Sequence, residues 1–168
     1  MPTTLPEILV VEDNPHDVEL LLHALRKSNA SANIQVLRDG AEALDYFFGT
    51  TEKAPADLAG LKLVLIDVKL PKADGLEVLK TLKAAPRTRL IPVVMLSTSS
   101  SEQDMTASYQ LGANSYIVKP VDFTEFVEEI RCAETYWMRY NRLPLSHLGD
   151  VAGKGGGNRP TLSDQGQT

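Results

Sequence analysis

The sequence predicts an α/β fold in which helices cover both faces of a five-stranded parallel sheet. Two observations favour this fold. Short apolar runs rich in β-branched residues recur along the chain, and segments with apolar residues at helical spacing separate them. Strands that alternate with helices in this way form parallel sheets, because each helix carries the chain back to the start of the next strand. The apolar runs occupy residues 8–11, 34–37, 63–66, 93–96 and 116–118.

The first two helices have recognisable start signals. Asn14 is a candidate N-cap, and Pro15 suits the first helical position because its ring fixes φ near the helical value. The apolar face of the first helix is then expected to contain Val18, Leu21, Leu22 and Leu25. After the second strand, Asp39 and Glu42 have the spacing of a capping box and predict the start of the second helix.

The remaining elements follow a long connection at residues 50–60, which contains a proline and ends in a glycine. Asp74-Gly75 begins the third helix, and Pro86 follows its end. The fourth helix stops at Gly112, and Asp122 caps the fifth. The five strand–helix units predict one domain at residues 7–143, between an N-terminal extension at 1–6 and a Gly-rich tail at 144–168 whose composition is typical of disorder.

Composition limits the class of protein. The chain has 168 residues, 43% of them hydrophobic, which is enough for one domain with a sizeable core. Its net charge of −5 disfavours binding to nucleic acid, because phosphate contacts need clustered Lys and Arg. The one cysteine, Cys132, allows no internal disulfide, and no apolar run approaches the ~18 residues of a membrane span. The sequence therefore predicts a cytoplasmic protein with no nucleic-acid or membrane partner.

Polar residues follow four of the five apolar runs directly. Glu12 and Asp13 come after the first run, Asp67 after the third, Ser97 after the fourth and Lys119 after the fifth. Parallel strands bring their carboxyl ends to one edge of the sheet, where such folds bind ligands. Taken singly, each residue is compatible with a solvated loop. Together, the carboxylates, hydroxyl and ammonium indicate Mg²⁺ beside a phosphoryl group, with Asp67 as the nucleophile.

These motifs resemble those of the receiver domains of two-component response regulators. The resemblance rests on Val10–Asn14, Asp67–Pro71, Asp74–Gly75, Ser97 and Lys119–Pro120, and extends from residue 7 to about residue 140. It implies a doubly wound, flavodoxin-like sheet of strand order 2-1-3-4-5. It also implies a signalling protein without an independent substrate, which catalyses only its own phosphorylation and dephosphorylation and is not an enzyme in the usual sense.

The resemblance also implies a role for each matching residue. Asp67 would accept the phosphoryl group, and Lys119 would contact that group. Glu12, Asp13 and Asp67 would hold Mg²⁺ together with the backbone carbonyl of Lys69. Within the family, the long connection at 50–60, the segment 38–44 and the aromatic pair 136–137 most resemble stand-alone, phytochrome-associated response regulators.

In such proteins Ser97 would be the switch hydroxyl and Tyr116 the switch aromatic. Phosphorylation would draw the hydroxyl towards the phosphoryl group and let the aromatic ring turn inward, which changes the surface of helix 4, strand 5 and helix 5. The expected partners are a sensor histidine kinase, of phytochrome type, and a second copy of the chain bound through that surface.

Two other functions stay open from the sequence. A pseudo-receiver that serves only for docking would have no need of Asp67, Ser97 and Lys119. A phosphatase with an aspartyl nucleophile needs a second carboxylate two residues after that nucleophile, where this chain has Lys69. A DNA-binding regulator is disfavoured by the acidic balance and by the lack of room for an output domain after the fifth helix.

Overall fold

Five parallel strands form the centre of the structure, a computed structural model that describes residues 4–144. The strand order is β2-β1-β3-β4-β5, and every neighbouring pair is parallel. The strands are β1 (Ile8–Val11), β2 (Ile34–Leu37), β3 (Leu63–Asp67), β4 (Val93–Ser97) and β5 (Ser115–Val118). The predicted fold class and strand order are confirmed, whereas the predicted Gly-rich tail lies, apart from Pro144, outside the described residues.

A helix follows each strand. The helices are α1 (Pro15–Ser28), α2 (Gly40–Phe48), α3 (Gly75–Ala84), α4 (Glu102–Gln110) and α5 (Phe123–Thr135), which continues as a π-helical turn at Tyr136–Tyr140. The side chains of Asn14, Asp39, Asp74 and Asp122 accept hydrogen bonds from backbone N–H groups in the first turns of α1, α2, α3 and α5. Local capping therefore fixes where these helices begin, as the sequence predicts.

The sheet separates two hydrophobic cores. Alternate strand residues such as Ile8 and Val10 pack against α1 and α5, whereas Leu9 and Val11 pack against α2 and α3. Both faces of the sheet are thus buried, which explains why the strands are continuous apolar runs rather than alternating ones. On α1 the prediction for Leu22 was wrong: Leu22 is only half-buried, and Ala24 is buried instead.

Two glycines let helices approach the β3–α3 loop, which comprises residues 68–74. A Cβ atom on Gly75 would lie 2.0 Å from the carbonyl oxygen of Asp67, and one on Gly40 would lie 1.8 Å from that of Ala73. Only glycine fits at such distances. The starts of α2 and α3 therefore pack tightly around the loop that follows Asp67.

None of the helices within residues 4–144 is both long and apolar enough to cross a membrane.

Candidate functional site

Charged side chains are buried at the carboxyl edge of the sheet. Glu12 follows β1, Asp67 is the last residue of β3, and Lys119 follows β5. Glu12 is only 1% exposed, and the side chain of Lys119 is 8% exposed. Burial of ionised groups is unfavourable unless they are paired, so the contacts among these residues decide what the site can do.

Lys119 is the shared partner of three carboxylates. Its Nζ donates to Oδ2 of Asp67 at 2.5 Å, to Oε2 of Glu12 at 2.8 Å and to Oδ2 of Asp17 at 2.9 Å. A lysine ammonium has three hydrogens, so these contacts use all of them. The backbone holds Lys119 in place as well, because its N–H donates to the carbonyl of Ser97 at 2.7 Å.

The two buried carboxylates are also fixed by backbone donors. Oδ1 of Asp67 accepts a hydrogen bond from the N–H of Lys69 at 2.8 Å, and Oε1 of Glu12 accepts one from the N–H of Asn14 at 3.1 Å. In each carboxylate, one oxygen accepts a hydrogen bond from the loop that follows its own strand, and the other accepts one from Lys119. These contacts fix the orientation of both carboxylates.

The site carries more negative than positive charge. Carboxylate oxygens of Glu12, Asp17 and Asp67 lie within 4.8 Å of one another, with one ammonium among them. Burial, together with the neighbouring Asp67 carboxylate, raises the pKa of Glu12 to about 8. Burial acts to lower the pKa of Lys119, but hydrogen bonds to Asp67, Glu12 and Asp17 outweigh it, and the pKa is raised. Such a group of oxygen ligands with excess negative charge suits a hard divalent cation.

The two predicted switch residues meet at one backbone segment after β4. Oγ of Ser97, which is buried, accepts a hydrogen bond from the N–H of Ser99 at 3.0 Å. The hydroxyl of Tyr116, which is half-buried, donates to the carbonyl of Ser99 at 3.0 Å. The β4–α4 loop therefore connects the hydroxyl beside the site to the aromatic residue on β5.

A cleft of about 490 Å³ opens beside the ammonium of Lys119. Asp17 and Thr98 line it near Lys119, and apolar residues that include Val121 and Phe123 line it farther out. Val121 is fully exposed and Phe123 is about half exposed. The cleft therefore reaches the ammonium that the three carboxylates share.

The structure brings most, but not all, of the predicted site residues together. Glu12, Asp67 and Lys119 are in contact as the strand topology predicts. Asp13 is exposed and lies outside the group of clustered carboxylates. Asp17, an acidic residue in the first turn of α1 that was not predicted as a site residue, belongs to that group. A signal for it was present, because α1 begins only four residues after β1 ends and keeps its first turn at the sheet edge.

Pro120 follows Lys119, and the peptide bond between them is trans.

Comparison with protein families and curated proteins agrees with the geometry. The family model described as the response regulator receiver domain matches residues 8–131. The probable methanogenesis regulatory protein FilR2 of Methanothrix harundinacea is 39% identical over 140 residues, which cover 82% of this chain and 86% of that protein. The response regulator Rcp1 of Synechocystis sp. is 36% identical over 141 residues, which cover 83% and 93% respectively.

Solved structures show the same likeness. The phosphorylated cyanobacterial phytochrome response regulator RcpA has a TM-score of 0.72 and 35% identity, over 84% of this chain and 99% of that one. The Mn²⁺-bound form of Rcp1 has a TM-score of 0.73 and 33% identity, over 83% and 99%. The predicted likeness to phytochrome-associated regulators is confirmed. The chain belongs to the response regulator receiver family.

Proposed function

We propose that this receiver domain accepts a phosphoryl group from a histidine kinase on Asp67, with Mg²⁺, and signals through contacts with other proteins. One observation carries the proposal. Asp67 is the buried carboxylate at the end of β3 that is held by the N–H of Lys69 on one oxygen and by Lys119 on the other. A carboxylate so oriented, in contact with an ammonium that lines an open cleft, can act as a nucleophile towards phosphorus.

The reaction forms one bond and breaks one. A carboxylate oxygen of Asp67 attacks the phosphorus, and the bond from phosphorus to the donor's histidine nitrogen breaks. The electron pair of that bond stays on the imidazole, which then takes up a proton. Lys119 would place its ammonium against the phosphoryl oxygens and stabilise their charge. The domain would catalyse its own phosphorylation and dephosphorylation and have no separate substrate.

Receiver domains bind a divalent metal ion in an acidic pocket, and Rcp1 has been crystallised with Mn²⁺. We propose that the ion here is Mg²⁺, held by Glu12, Asp13, Asp67 and the backbone carbonyl of Lys69. Two of these ligands, Glu12 and Asp67, have carboxylate oxygens within 4.8 Å of each other and share one ammonium, so this part of the donor set fits a hard cation. When bound, the ion supplies neutralisation of charge on the transferring group. Asp13, exposed and next to Glu12, would join the set from the loop after β1.

Receiver domains of phytochrome response regulators interact with histidine kinases. We propose a sensor histidine kinase of phytochrome type as the donor, and a second copy of this chain as a partner for the surface of α4, β5 and α5. The edge strand β5 supports that surface, because its residues are only half-buried and Tyr109 of α4 is exposed. Ser97 and Tyr116, both bonded to Ser99, would transmit phosphorylation to it.

A docking module that is never phosphorylated is the alternative. The buried charges of Asp67 and Lys119 disfavour it, because side chains at 10% and 8% exposure stabilise a fold poorly when ionised, and a docking surface does not need them. An aspartyl phosphatase is disfavoured because Lys69 is exposed and basic where the second carboxylate would have to lie.

Intact mass after incubation with acetyl phosphate tests the proposal. We expect one added phosphoryl group on the wild type with Mg²⁺, none with EDTA, and none on Asp67→Asn. Asp45→Asn, an exposed aspartate of α2, is the matched control and should be modified like the wild type. If neither acetyl phosphate nor a kinase labels the wild type, the docking module is the better description.

A further inference from the structure

We propose that Asp17 is a positioning residue that competes with the phosphoryl group for Lys119 and so slows phosphorylation of Asp67. This inference rests on the proposed function. Asp17 is the one carboxylate of the cluster that comes from a helix rather than from a strand end. Oδ1 of Asn14 accepts hydrogen bonds from the N–H groups of His16 and Asp17, so the cap fixes the turn that carries Asp17.

The Lys119 ammonium has three hydrogens. All three are donated to carboxylates, so none is left for a phosphoryl oxygen. Lys119 must therefore give up at least one contact before it can bind the transferred group. The question is which of the three carboxylates it leaves.

The exposure of each carboxylate indicates which contact Lys119 gives up. Glu12 is 1% exposed, so water cannot replace the Lys119 hydrogen bond there. Asp67 is the acceptor, and its contact keeps Lys119 beside the reacting oxygen. The side chain of Asp17 is 29% exposed and lines the cleft, so water can replace Lys119 there at the lowest cost. The Asp17 contact is the one that is exchanged for the phosphoryl oxygen.

Charge adds to the same effect. Asp17 faces the cleft through which a phosphodonor arrives, and its carboxylate repels an anionic group there. Asn at this position keeps the size and one acceptor oxygen but removes the charge. Because a partly exposed ion pair is weak, we expect Asp17→Asn to be phosphorylated about fivefold faster than the wild type.

The test compares rates of acetyl phosphate labelling, by intact mass, at saturating Mg²⁺ for four proteins. These are the wild type, Asp17→Asn, Asp17→Glu and Glu19→Gln. Glu19 is an exposed carboxylate of the same helix that forms no ion pair with Lys119, so its variant controls for net charge. Calorimetric titration with Mg²⁺ and thermal unfolding are measured on each. We expect Asp17→Asn alone to be faster, Asp17→Glu to restore the slow rate, and the Mg²⁺ affinity of Asp17→Asn to stay within about twofold of the wild type.

Two results would overturn the inference while leaving phosphorylation of Asp67 intact. If Asp17→Asn is slower and binds Mg²⁺ more weakly, Asp17 is a metal ligand and not a competitor for Lys119. If it is labelled at the wild-type rate, or if Glu19→Gln gains as much speed, the contact has no specific effect. Absence of label on every protein, including the wild type with a kinase, would instead overturn the proposed function.

Discussion

Two lysines form ion pairs at the two ends of the β3–α3 loop, and they differ mainly in burial. Lys119, 8% exposed, contacts Asp67 where the loop begins. Lys72, 68% exposed, contacts Asp39, the N-cap of α2, at 2.9 Å near the loop's end. Lys119 also contacts Asp17 at the same 2.9 Å, so the difference between the two lysines lies in their surroundings and not in the length of an ion pair.

Burial and charge balance distinguish the functional pair, Lys119 with Asp67, from the structural pair, Lys72 with Asp39. Water and salt screen the pair of Lys72 with Asp39, and such pairs contribute little to stability. Lys119 is shielded from water and has three carboxylates for one ammonium. That imbalance is unfavourable for folding, but a phosphoryl group or a metal ion can relieve it. The buried cluster is therefore suited to chemistry at the expense of stability.

The largest expected effect comes from Lys119→Met. Loss of the ammonium leaves the Asp67 carboxylate buried without a cation and Glu12 without its hydrogen-bond donor, so we expect the free energy of unfolding in EDTA to fall by about 3 kcal/mol. Loss of a donor to the transferring group should slow phosphorylation by about a hundredfold. Urea unfolding and acetyl phosphate labelling measure the two effects.

Lys72→Met is the matched control for that variant, because it removes the exposed lysine of the comparison. Its stability and labelling rate should stay near those of the wild type. Equal losses in the two variants would show that burial does not distinguish the pairs. Addition of Mg²⁺ should restore part of the stability of Lys119→Met and leave that of Lys72→Met unchanged relative to the wild type.

A second prediction concerns the backbone that places Asp67. In Gly75→Ala the new Cβ would meet the carbonyl oxygen of Asp67 at 2.0 Å, so α3 or the end of β3 must shift. We expect a loss of about 3 kcal/mol in the free energy of unfolding, with slower labelling. In Gly60→Ala the Cβ would lie 3.2 Å from the side chain of Leu5, and a small effect is expected. A Gly75→Ala protein as stable as Gly60→Ala would mean that the start of α3 does not fix Asp67.

Much of this fold, and the contacts of Lys119 with Glu12 and Asp67, could be predicted from the sequence. Strands buried on both faces are apolar along their whole length, and caps such as Asn14 and Asp74 act on their own helices, so both signals are local. The meeting of Glu12, Asp67 and Lys119 follows from parallel topology alone. The contact of Asp17 with Lys119 does not, because it depends on how α1 packs beside the end of β5.

The loop after β4 was also beyond prediction from the sequence. Residues 97–101 contain four serines, any of which could cap α4 or bond a neighbour, so sequence alone does not choose among them. In the structure the N–H of Ser99 donates to Oγ of Ser97, and the carbonyl of Ser99 accepts from the hydroxyl of Tyr116. This link is tertiary, and it connects the buried site to the half-buried edge strand.

Tyr116→Phe tests the hydrogen bond from Tyr116 to Ser99. Tyr116 is half-buried, so its exposure lies between that of Lys119 and that of Lys72. Loss of the hydroxyl removes one hydrogen bond to the carbonyl of Ser99, and water can partly replace it, so we expect a loss of about 1 kcal/mol in urea unfolding. Tyr109→Phe is the control, because Tyr109 is exposed and its hydroxyl has no hydrogen bond within residues 4–144. An equal loss in both variants would argue against a specific role for the Tyr116 hydroxyl.

The smallest effect is expected at the exposed pair, and it should depend on pH. Hydrogen bonds from the N–H of Glu42 and from Lys72 lower the pKa of Asp39 below its ordinary 3.8. A carboxyl with a lowered pKa in the folded state stabilises the fold above its unfolded pKa, and this contribution is lost as pH falls through the folded pKa.

Asn is also a good N-cap, so Asp39→Asn removes the charge without removing the cap. The variant's melting temperature should therefore be slightly below that of the wild type at pH 7 and equal to it near pH 2. High salt should reduce the difference at pH 7, because the Lys72 side chain is 68% exposed. A difference that persists at low pH and in high salt would mean that Asp39 acts through packing, and that exposure alone does not separate this pair from the cluster around Lys119.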